Sequence, residues 1–134
     1  MLLSLLTKEE KFYFIDLLRQ LILVDGEENQ IEKQIVSKFK YEMGADVYRY
    51  KKSSDTLEEL LKYFETKQKT TQNIVFMNLY SASLEDEWYN VEQHFLLENI
   101  QEHFTISNKK KNELLKIVYS ERDLKEKAKR AICD

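Results

Sequence analysis

No proline interrupts these 134 residues, and only two glycines do, Gly26 and Gly44. Sandwiches, barrels and Gly-rich nucleotide folds draw on Gly and Pro at their tight turns, so such architectures have almost nothing to build with here. Hydrophobic residues are 43% and charged residues 34% of the chain, the balance of a folded domain rather than a disordered one. This length supports one core that stands without a disulfide or structural metal. The expectation is a single all-α domain over residues 1–134.

Periodicity supplies the elements. Thr7-Lys8-Glu9-Glu10 forms a capping box, in which hydroxyl and carboxylate each satisfy a free amide of the first helical turn. Behind it Phe14, Ile15, Leu17, Leu18, Leu21, Ile22 and Val24 make a wide apolar stripe that Asp25-Gly26 should end. A second helix is expected from near Asn29, with Ile31, Ile35, Phe39 and Met43 inside and Gly44 closing it. Asp55 and Glu58 have the spacing to cap a third, carrying Leu57, Leu60, Leu61 and Phe64. After a polar connector from Thr66 to Gln72, a fourth carries Ile74, Val75, Phe76 and Leu79 and ends in a loop near Ser81 to Glu87. The fifth runs from about Trp88 to Phe104. Its apolar residues fall on two faces at about 100° per residue, so it should touch two sets of neighbours. Ser107 starts a sixth helix with Leu114, Leu115 and Val118, and Ser120 with Asp123 caps a short basic seventh. The reading is a bundle of about seven helices.

Net charge is only -3, yet it is unevenly placed. Residues 107–130 hold nine basic and four acidic side chains, against 12 basic and 20 acidic in the rest. One cysteine, Cys133, has no internal partner, which fits a reducing compartment. The apolar start Met1–Leu6 lacks a basic leader and meets Glu9 and Glu10, so it does not read as a signal peptide. A cytoplasmic location with no membrane insertion is expected.

An internal echo appears at a shift of 60. Residues 25–32, Asp-Gly-Glu-Glu-Asn-Gln-Ile-Glu, align with 85–92, Glu-Asp-Glu-Trp-Tyr-Asn-Val-Glu, and each follows an apolar helix. Two helix–acidic turn–helix units suggest a pseudo-repeat. An apolar helix ending in Val24-Asp25-Gly26, then Glu32 and the Met43-Gly44 stop, resembles the TerB-like family of tellurite-resistance proteins. The likeness covers Thr7 to about Val118. It implies an all-α fold of seven helices, a stress-response context, and divalent metal binding at acidic turns. Matched position by position, those turns give Asp25 and Glu32 in the first half, Glu85 and Glu92 in the second. The sequence departs from the pattern at Asp86, where the first half has Gly26.

The residues themselves support a hard cation (calcium, magnesium or manganese before zinc), because such ions want several oxygens and the first turn brings four carboxylates together. An EF-hand does not fit: counted from Asp25, its glycine falls on Gln30 and its bidentate glutamate on Val36. The competing reading makes the acids ordinary partners of helix N-termini. Glu27, Glu28, Asp86 and Trp88 border the same turns and are the expected contacts for a protein partner. His94 and His103, nine apart on one helix, face opposite ways and cannot share a metal; His94 with Glu98 shares a face but gives too few ligands. No nucleophile stands in a catalytic setting, and an enzyme is not the expectation. The resulting reading is a non-catalytic TerB-like stress-response or interaction module whose acidic surface takes a divalent cation. The alternative is an accessory subunit that meets nucleic acid or a protein partner through its basic helices at 107–132. Tyr48-Arg49-Tyr50-Lys51-Lys52 mixes aromatics with cations as single-strand binders do, although the overall acidity disfavours nucleic acid.

Overall fold

The computed structural model describes residues 1–23, 30–85 and 90–133, the side chains of 30–32 excepted. Among these the architecture is all-helical, with six α-helices: α1 (Lys8–Ile22), α2 (Gln30–Met43), α3 (Leu57–Glu65), α4 (Lys69–Glu85), α5 (Val91–His103) and α6 (Asn108–Ile132). Single 3-10 turns sit at Leu3–Leu5 and Ala45–Val47. No described helix is long and apolar enough to cross a membrane.

Local chemistry explains most boundaries. The capping box of α1 is present: Glu10 N–H donates to Thr7 Oγ1 at 3.1 Å, and Thr7 N–H to Glu10 Oε1 at 2.8 Å. Phe14, Ile15, Leu17, Leu18, Leu21 and Ile22 are all buried, and α1 packs on α2, α3, α4 and α5. Ile35, Phe39 and Met43 form the core face of α2, joined by Val36. Gly44 follows at φ 110° and ψ 174°, a conformation open essentially to glycine. Lys11, itself buried, donates to the Met43 carbonyl at 2.8 Å and places its charge at the C-terminal end of α2.

Several expectations need correction. The cap of α3 is Thr56, one residue beyond Asp55; its hydroxyl accepts from Glu59 N–H at 3.2 Å, while Asp55 N–H is held by Ser53 Oγ. The α3–α4 connector is shorter than the polar run suggests. Gln72, almost fully buried, donates to the Phe64 carbonyl at 2.9 Å and brings α4 directly against the end of α3. At its other end α4 continues through buried Ala82 and Ser83 to Glu85, so most of the loop expected from Ser81 is helix. Helix α5 buries one apolar face only: Leu96, Leu97, Ile100 and the following Phe104 are inside, whereas Val91 and Phe95 are 62% and 61% exposed.

The largest correction concerns the helix count. Ser107 caps α6 as its spacing implies, accepting from Lys110 N–H at 3.1 Å, but the helix then runs 25 residues without a break. Ser120 and Asp123 lie inside it. The helix is continuous from 108 to 132, through the junction expected before Ser120, and the Lys125–Glu121 ion pair at 2.9 Å supports the turn that follows.

Candidate functional site

Of the residues expected to hold a metal, Asp25 lies outside the described residues, as does the side chain of Glu32. Glu27, Glu28, Asp86 and Trp88, the expected partner contacts, also lie outside them. The structure therefore places two of the eight. Glu85 ends α4 and is ion-paired with Lys38 of α2. Glu92 stands exposed in the first turn of α5, behind Asn90, whose side chain caps the helix by accepting from Gln93 N–H at 2.8 Å. Among the described residues no three metal-capable side chains come together.

What Glu85 does join is a charged cleft. It opens between the end of α4 and the middle of α6, with a volume of about 440 Å³. Val118 and Leu84 supply its apolar lining, and Lys38, Arg122, Lys125 and Lys129 share it with Glu85, Glu121 and Glu126. Lys125 is held above its ordinary pKa by its hydrogen bond to Glu121, with the Glu85 carboxylate adding to the effect. With four cations facing three carboxylates, these charges largely neutralise one another, and the cleft ties α2, α4 and α6 together with one cation in excess.

Past Val118, α6 draws away from the bundle with the cleft along one side. Val118 is its single buried residue, supported by half-buried Leu114 and Leu115. From Arg122 to Cys133 every residue is exposed, including Leu124 at 66% and Ile132 at 82%. Ion pairs within the helix, such as Lys129–Glu126 at 3.3 Å, support it there.

A second charged surface lies on the other side of α2. A groove of about 690 Å³ is lined by Arg19 from α1, Lys40 from α2, and Tyr48, Arg49, Lys51 and Lys52 from the segment after the Ala45–Val47 turn. That segment is anchored by Tyr50. Its ring stacks on Phe12 at 4.3 Å, and its hydroxyl donates to the buried carboxylate of Asp16, which also accepts from Ser53 Oγ at 2.9 Å. Sequence spacing pointed to residues 48–52 but not to Arg19 and Lys40, since three distant segments meet here. Asp16, set inside the apolar run from Phe12 to Leu18, was the available signal for such an anchor.

His94 and Glu98 do share a face, 3.0 Å apart, and His103 pairs with Glu65 of α3. Each histidine thus has a carboxylate of its own. Comparison with protein-family models, curated proteins and solved structures finds no match to this chain.

Proposed function

We propose that the chain is a non-catalytic, TerB-like interaction module that docks a protein partner with the outer half of α6. The observation that carries this reading is the helix itself, still regular although each residue from Arg122 to Cys133 is exposed, with Arg122, Lys125, Glu126 and Lys129 along the cleft and Leu124 and Ile132 outside its lining. A short helical stretch is marginal in water on its own, and its remaining stabilisation has to come from packing. Leu124, Ala128, Ala131 and Ile132 recur at three- and four-residue steps, the pattern by which a helix lies in an apolar groove. Five basic and two acidic residues share the same stretch, so the groove it fits is rimmed by carboxylates. The apolar stripe favours protein over nucleic acid, which would need cations alone.

The test is co-purification from the host with the double variant Leu124→Glu, Ile132→Glu. Loss of a stoichiometric partner, with partner binding kept in Lys62→Glu on α3, supports the reading. Equal binding by both variants refutes it.

The divalent cation belongs to the same proposal, at Asp25, Glu32, Glu85 and Glu92. Lys38 already occupies Glu85, so an ion there must displace an ammonium group. Lys38→Gln is therefore expected to tighten calcium binding.

A further inference from the structure

We propose that the groove between α1, α2 and residues 48–52 binds phosphate esters, supplied by a free nucleotide or by single-stranded nucleic acid. Five cations line it, and none of its described lining residues is a carboxylate. Asp16, the acid nearest in sequence to Arg19, is engaged by Tyr50 and Ser53. The Nη1 of Arg19 is buried and has no hydrogen-bond partner among the described residues. An unmade bond at such an atom costs about 1–3 kcal/mol, more for a charged group, and an anion in the groove removes that cost. Lys40 donates one hydrogen to the Tyr50 carbonyl at 2.7 Å, leaving the rest of its ammonium for a ligand.

Cations near helix C-termini are ordinary, since the macrodipole favours them there, and Arg19 and Lys40 both occupy such turns. That explanation alone would aim both at their own helix's last carbonyls. Lys40 instead reaches the 48–52 segment, and Arg19 Nη1 reaches no carbonyl among the described residues. The two charges also repel each other: burial, then the Arg19 charge, lowers the pKa of Lys40. Like charges kept adjacent with a donor unspent make a phosphate seat. Tyr48, 52% exposed at the rim, offers a ring for a base to stack on. A volume of about 690 Å³ suits a nucleotide or one or two bases of a strand. This site is separate from α6, and neither proposal depends on the other.

The experiment is fluorescence anisotropy of the full chain with labelled dT12, labelled rU12 and a fluorescent ATP analogue, at low and moderate salt. Expected is saturable binding that Arg19→Gln and Lys40→Gln each weaken by about ten-fold, equivalent to ~1.4 kcal/mol. Arg49→Gln with Lys51→Gln, both exposed, should weaken it similarly without threatening the fold. The triple variant Lys109→Gln, Lys110→Gln, Lys111→Gln on α6 should leave it within about two-fold. Oligonucleotide binding much tighter than ATP, with a steep salt slope, identifies a single strand as the source; comparable binding identifies a nucleotide. The proposal is overturned if neither probe binds at low salt, if the groove variants bind as the parent does, or if the α6 variant loses as much. Binding to anionic vesicles but to neither probe also overturns it.

Discussion

Replacing Tyr50 with phenylalanine tests how the 48–52 segment is held. The ring's stacking on Phe12 survives the change, while the hydrogen bond to the buried Asp16 carboxylate is lost. A bond to a charged acceptor contributes about 1.5–3 kcal/mol, and Asp16 keeps its Ser53 contacts, so a loss of about 2 kcal/mol is expected near neutral pH. In a domain this size that corresponds to a fall in Tm of about 6–10 °C. The same bond has a pH signature. Burial, then the hydrogen bond and charge of Asp16, push the Tyr50 hydroxyl up to about 12 from 10.0.

Because its folded pKa is raised, the native state keeps this proton longer than the unfolded chain does. The stabilisation is complete below about pH 10 and is lost as pH rises towards 12. Burial also lifts Tyr13 and Tyr63, so the parent's whole alkaline limb is not the readout. The difference between parent and Tyr50→Phe isolates the one group. Urea unfolding followed by circular dichroism at pH 7, 9, 10.5 and 11.5 should show that difference steady to pH 9 and shrinking beyond. A difference near zero at pH 7, or one unchanged at pH 11.5, refutes the reasoning.

Gly44→Ala should cost about 1–2 kcal/mol in urea unfolding: its new methyl meets only Asp46 Oδ1 at 3.5 Å, so the cost comes from backbone conformation. Leu60→Ala, at a fully buried position where α3 meets the core, should cost about 2–5 kcal/mol by the same assay. Leu124→Glu with Ile132→Glu should move stability by no more than about 0.5 kcal/mol per site, since both side chains are solvated in the isolated chain. EDTA-stripped protein titrated with calcium should melt higher, by about 2.7 kcal/mol at 100 times the dissociation constant, and Lys38→Gln should reach that shift at lower calcium. No saturable shift in either protein refutes the cation.

How much was legible depended on whether an element had two faces. Helix α2 buries one stripe, so spacing alone located Ile35 and Phe39; α1 is buried all round from Phe14 to Leu18, and there the dense apolar run between a capping box and a glycine located it. The caps Thr7 and Ser107 announced themselves because a side-chain oxygen three residues before a free amide is a local matter. Helix α4 was less legible for the opposite reason. It is buried nearly all round, from Gln72 to Ser83, and no period marks where it begins or ends. In α6 a Ser–Asp spacing imitated a cap, but a cap needs a break before it and residues 108–132 contain none. The exposure of Phe95 was hidden because an apolar side chain in a sequence does not reveal whether a neighbour covers it. Glu85 was found as an acid at a helix end, while its commitment to Lys38, 47 residues away, depends on tertiary structure. The same holds for the groove that unites Arg19, Lys40 and Arg49.

The central claim, that the outer half of α6 is a docking helix, is tested most directly by site-specific photo-crosslinking in the host. A photoreactive residue is placed in turn at each position from 122 to 132. The account predicts one discrete adduct whose yield peaks at 124, 128, 131 and 132, following the apolar stripe. Uniform yields around the helix, or no adduct at any position, would contradict it.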